Sequence, residues 1–183
     1  MKKIISVLLV LSLLICAGVA SLSAQGEETA ATLHEQKITA SRFETMLNNN
    51  YAFGSDFYSV SKLINAATIS LLPHAENGTL KNFIIADFVN NMYGIDALLI
   101  ADEGSAPLSL NGVYEIIPKG FSKYTHTVTE YFEHADGTLT VYSTAETFDE
   151  NGTAVTHTAI SRFAKNEQSA FGFTLLSCEI VIE

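Results

Sequence analysis

The order of periodic segments predicts an α+β domain, with helices in the first half of the chain and a four- or five-stranded antiparallel sheet in the second. Three observations carry this. Residues 123–164 alternate apolar and polar side chains with period two, and the alternation is interrupted at Asp136-Gly137 and Asn151-Gly152, dipeptides that favour tight turns. Between residues 41 and 94, apolar residues recur instead at three- and four-residue spacing. Pro73, Asn77-Gly78 and Gly94 punctuate those helical stretches.

The chain opens with Lys2-Lys3 and an apolar run from Ile4 to Ala20 broken only by Ser6, Ser12 and Gly18. A basic start, an apolar middle and small residues around Ala20 and Ala24 predict a secretory signal peptide over 1–24. The alternative is an uncleaved N-terminal anchor; with cleavage, no stable membrane span is expected. Cys16 follows Ile15 rather than a small residue, which argues against a lipid-attachment signal. Residues 25–38 lack periodicity and read as a flexible tether, leaving 39–183 as a single domain.

Ser41 with Glu44 fits a capping box, and Phe43, Met46 and Leu47 form one apolar stripe of a first helix stopped by Asn48-Asn49-Asn50. The loop 51–58 carries Tyr51, Phe53, Phe57 and Tyr58, aromatics that more often plug a core edge than form a recognition surface. A second helix is expected from Ser59 to Leu71, burying Val60, Leu63, Ile64, Ala67 and Leu71, with Pro73 preventing its continuation. Thr79 caps a third, whose apolar positions are Leu80, Phe83, Ile84, Phe88 and Met92, with Asp87, Asn90 and Asn91 on its polar side and Gly94 beyond its end. A connector over Asp96–Leu110 leads to a strand at Val113–Ile117, closed by Pro118-Lys119-Gly120. The meander then uses Lys123–Phe132, Leu139–Phe148 and Ala154–Ala164, and an apolar last strand, Phe171–Ile182, suits a central place in the sheet.

Taking both glycine turns as two-residue loops fixes the register by counting. Phe132 then faces Val141, Glu130 faces Ser143 and Tyr131 faces Tyr142. In the second hairpin Phe148 faces Val155, Tyr142 faces Ser161 and Glu146 faces His157. Neither face is plainly polar on this register, so the sheet is expected to be covered at least partly on both sides.

Helices followed by an antiparallel sheet resemble, in element order, the NTF2-like or cystatin-like cone-shaped domains, in which a curved sheet wraps a helix around a pocket. The runs Phe43–Asn50, Asn91–Ile95, Ile117–Ser122 and Lys165–Gly172 resemble those of a family of small secreted proteins from Gram-positive anaerobes. That second resemblance implies secretion and supplies no catalytic residues.

Charge excludes one function class. The formal net charge is −10, and removing residues 1–24 takes away Lys2 and Lys3 but no acid, giving −12. Nucleic acid is not an expected partner, because its binding depends on neutralising phosphates. Cys178 alone remains outside the leader, so no internal disulfide is expected, and an apolar strand favours a buried, inert thiol.

The candidate chemistry is sparse. Glu146 beside His157 would make a proton-transfer pair, although an ordinary cross-strand ion pair, worth about 0.2–1 kcal/mol, is the better account. His126 and Glu130, on the other face, lack a third ligand. No HExxH or other metal spacing occurs, Asp149–Gly152 lacks the alternating carboxylates of a calcium loop, and there is no Gly-x-Ser-x-Gly or phosphate-cradling glycine motif. No cofactor or metal is expected. The leading expectation is a secreted or cell-envelope, non-enzymatic domain that binds a small ligand or an extracellular protein through Tyr124, Tyr131 and Tyr142 of the sheet and Phe53, Phe57 and Tyr58 of the loop. The alternatives are an NTF2-like acid/base enzyme using Glu146 and His157, and an inhibitor of an extracellular cell-wall hydrolase.

Overall fold

The computed structural model describes residues 35–116 and 123–182. It distinguishes two units, 1–40 and 41–183; of the first, residues 35–40 are described and are helical. The expected leader over 1–24 and the strand end at Pro118-Lys119-Gly120 lie outside the described residues.

The second unit is α+β. Helix α1 covers residues 35–48 and therefore starts before Ser41, whose carbonyl accepts an intrahelical hydrogen bond from Thr45 Oγ1 at 2.8 Å. Ser41 is thus not a cap, and the last four residues of the expected tether are helical. Helix α2, Val60–Ser70, matches its expected span, with the Ser59 hydroxyl accepting from Lys62 N. Helix α3, Asn82–Tyr93, starts three residues after the expected cap, because Thr79–Lys81 forms strand β1 and pairs antiparallel with β2, Val113–Glu115, in a ribbon of its own. Gly94 ends α3 in the left-handed conformation, as expected.

The main sheet has four antiparallel strands in sequence order: β3 (Thr125–Glu133), β4 (Thr138–Phe148), β5 (Ala154–Lys165) and β6 (Phe173–Val181). β6 is an edge strand, not a central one. Its apolar run is accounted for by helix contact: Phe173, Leu175 and Cys178 are buried in the core beneath the helices.

Both hairpin turns are one residue longer than counted. His134 N donates to Thr138 O at 2.8 Å and Gly137 N to His134 O at 3.0 Å; Asp149 N donates to Thr153 O at 2.9 Å and Gly152 N to Asp149 O at 3.0 Å. Each loop therefore has three residues, with the glycine last and left-handed, at φ 79° for Gly137 and 76° for Gly152. A two-residue turn of the expected type needs two successive positive φ values, and Asp136 and Asn151 do not adopt one. The longer loops shift both registers by one. Tyr131 pairs with Val141, Phe132 with Thr140 and Glu130 with Tyr142; in the second hairpin Phe148 pairs with Ala154, Glu146 with Thr156 and Ala145 with His157. A bulge between Val128 and Glu130 moves the start of β3 by one further step.

This register sorts the faces. Leu139, Val141, Ser143 and Ala145 of β4, with Ala159, Ser161 and Phe163 of β5, point to the helices and are buried. The opposite face is open among the described residues. Thr127, Thr144 and Thr158 form a row across three strands and all three are exposed. Phe132 there is 51% exposed. Of the cover expected on both sides, the helices supply one; the other face combines threonines, which suit a pleated surface and hydrogen-bond to water, with exposed Phe132 and Phe148.

The core centres on Phe43 of α1. Its ring lies 4.7 Å from that of Phe163, 4.8 Å from Phe173 and 5.4 Å from Tyr131, a cluster joining α1 to three strands. Met46, Leu47, Leu63, Ile85, Val89 and Met92 complete it from the helices. Phe43→Ala should lower unfolding stability by about 3–5 kcal/mol in urea titration, whereas Phe132→Ala on the open face should lower it by less than about 1 kcal/mol. Comparable losses for the two would contradict the assignment of faces.

Candidate functional site

The residues expected to bind a ligand do not form one surface. Tyr131 packs against Phe43, and Phe57 against buried Tyr93 at 5.8 Å between ring centres, so both serve the core. Tyr142 lies on the open face with its ring 6.2 Å from Phe132. Tyr58, 91% exposed, touches none of the others through its ring. Glu146, opposite Thr156, is on the open face and His157, opposite Ala145, is on the helix face, so the carboxylate and imidazole are on opposite sides of the sheet. Their expected pairing was a product of the two-residue turn, and the one-residue shift removes it.

Tyr124 and Phe53 do meet, 5.2 Å apart, and the Tyr124 ring also approaches His126 at 6.3 Å and His157 at 6.4 Å. The reason lies in the register: His126, Ala145 and His157 are in line across β3, β4 and β5, and the small central residue leaves room between the imidazoles. His126 is 2% exposed. Its Nδ1 is 3.0 Å from Ser143 Oγ, and its Nε2 has no hydrogen-bond partner among the described residues. Burial lowers its pKa to about 4, so the imidazole is neutral at neutral pH.

The backbone around His126 is clamped from α1. Asn48 Oδ1 accepts from His126 N at 2.7 Å while Asn48 Nδ2 donates to His126 O at 3.1 Å, and Glu44 Oε1 accepts from Val128 N at 2.9 Å. Two helix side chains thereby satisfy the outward backbone groups of an edge strand. Asn50, buried next to the helix end, accepts from Tyr93 Oη at 2.9 Å and from Ala52 N at 3.1 Å and donates to Ala52 O. Cys178 is buried as expected, and burial pushes its thiol up to about 11, so it is protonated and no nucleophile at neutral pH. Among the described residues, no group of three or more metal-ligating side chains occurs.

A concave feature lies elsewhere, along the outer side of α3. A groove of about 530 Å³ runs between Phe83, Asp87 and Asn90 of the helix and Asp96, Leu98 and Leu110 of the connector. A second, of about 290 Å³, has Leu80, Lys81 and Val113 of the two-stranded ribbon together with His74 and Glu76. Phe83 and Ile84 line both, so the two are neighbours along one helix. Phe83 is 49% and Leu110 57% exposed.

The groove exists because α3 has apolar residues beyond its buried arc, among them Phe83, which shares the exposed side with Asp87 and Asn90. The buried residues are Asn82, Ile85, Ala86, Val89, Met92 and Tyr93, an arc one residue round from the expected stripe, which leaves Phe83 on the outside. The opposite wall is fixed by the connector. Asp102 accepts from Ser59 Oγ at 2.9 Å, Val60 N at 2.7 Å and Ser61 N at 3.0 Å, bonds from Ser61, Ser59 and Val60 that draw its carboxyl down to about 2. Leu108 N donates to Ala97 O at 2.9 Å, and Asn82 Nδ2 to Ser109 O at 2.9 Å. Gly112 lies so close to Asn82 that a Cβ there would fall on its side-chain amide, which explains glycine at the point where the connector rejoins α3. Phe83 and Ile84 have the spacing of core residues, so periodicity does not mark them as groove residues; the signal present is an excess of apolar positions on one helix.

No protein-family model matches the chain, no curated protein matches it, and no solved structure matches it.

A pH dependence follows from His126. The unfolded imidazole takes its proton near pH 6.5 and the folded one only near 4, so the unfolded state binds more protons between those values. Native stability should fall by up to about 3 kcal/mol for this group as pH drops from 7 to 4, and the group should contribute no further change below that. Denaturant titrations at both pH values compare the chain with His126→Gln. An equal pH dependence in the two proteins would contradict the neutral buried imidazole.

Proposed function

We propose that the chain is a non-enzymatic binding domain of the cell exterior whose ligand occupies the groove along α3. The observation that carries the reading is a cavity of about 530 Å³ walled by half-exposed Phe83 and Leu110, within the size range of small-ligand sites. Half-exposed large apolar side chains flanking a concavity lose unfavourable contact with water when a ligand covers them. The connector wall, held by Asp102 and Asn82 at separate points, supplies a preformed shape and so limits the ordering that binding requires. Exterior location is supported by the apolar leader and the resemblance to small secreted proteins. Helices gathered on one face of an antiparallel sheet support a relation to the NTF2-like or cystatin-like arrangement, with the proposed site moved from the sheet face to the outer helix surface.

The neutral apolar dye Nile red tests the site. Its fluorescence should rise on binding the purified chain, and Phe83→Ser combined with Leu110→Ser should weaken binding about tenfold or more while leaving the thermal midpoint in place. Phe132→Ser should have no effect. Retention of dye by the groove double variant, with loss on Tyr124→Ser, would transfer the site to the Phe53–Tyr124 end of the sheet and overturn the proposal.

A further inference from the structure

The paired shape of the site and its uneven charge say more about the ligand. A compact molecule fills one concavity, whereas two that share Phe83 and Ile84 as a common divide, about 530 and 290 Å³, form a trough with a ridge across it. An extended chain with side chains on both sides of the ridge fits that outline. The charges are arranged lengthwise. The larger hollow is lined by Asp87 and Asp96 and by no basic residue, while the smaller one is lined by Lys81 and His74 as well as Glu76. Asp87 is exposed with no side-chain partner among the described residues, and Asp96 uses only Oδ1, in a 3.0 Å bond from Leu98 N. Resting on the proposed groove, we propose that the trough takes an extended peptide segment of a partner protein, with apolar side chains astride Phe83 and a basic residue over Asp87 and Asp96. The net charge of −10 adds a long-range attraction for such a segment, and apolar side chains supply the short-range grip.

The probe is a short fluorescein-labelled peptide alternating leucine and lysine, followed by fluorescence anisotropy on the full chain. Two controls replace lysine by glutamate or leucine by serine. The leucine–lysine peptide should bind, both controls should fail, Asp87→Asn should weaken binding by up to about fivefold, and added salt should weaken it as well. Phe83→Ser, at a half-exposed position that the fold does not need, should remove it. Equal binding of the lysine and glutamate peptides, with Nile red still displaced, would overturn the ligand class while leaving the groove intact. Lysine-peptide binding indifferent to Phe83→Ser would mean attraction to the acidic surface at large and would overturn the inference. If Nile red is also indifferent to Phe83→Ser, the groove reading itself falls.

Discussion

Two glycines in the left-handed conformation decide which half of the sheet becomes the inside of this protein. Gly137 and Gly152 each close a three-residue loop, and that loop length sets the pairing of β3 from Glu130 onward with β4, and of β4 with β5. Since side chains alternate faces with period two, a loop shorter by one residue would turn the buried side chains of one strand outward. Phe163 would leave Phe43, and the aromatic contact that joins α1 to the sheet would be lost.

Polar groups reinforce the apolar packing where α1 meets the strands. Three successive asparagines at the end of that helix have separate tasks. Asn48 replaces a missing strand for His126, Asn49 bonds back to the Thr45 carbonyl at 2.8 Å, and Asn50 saturates the phenol of buried Tyr93. A buried amide that meets its partners on two elements fixes their relative position more narrowly than apolar contact alone, because a small slide leaves a desolvated group unpaired. The imidazole of His126 beside this clamp stays neutral for the same reason: charge has no compensation there.

The outer groove arises from excess. Helix α3 has more apolar positions than the sheet and α2 can cover, and the connector, tied to the start of α2 by Asp102 and to the start of α3 by Asn82, covers the remainder incompletely. Carboxylates at Asp87 and Asp96 then sit beside apolar surface that water still reaches.

Much of this fold was legible in the sequence, because local periodicity and punctuation encode it. The α+β order, the span of α2 from Ser59 onward, the left-handed Gly94, the buried Phe43–Met46–Leu47 stripe and the inert Cys178 all follow from spacing and residue type. Tertiary structure alone decided the loop lengths, and with them the separation of Glu146 from His157, since the same Asp-Gly and Asn-Gly pairs fit both two- and three-residue hairpins. It also decided which arc of α3 faces inward: Ile84 with Phe88 and Ile85 with Val89 are both apolar pairs at helical spacing, and only the packing partners select one.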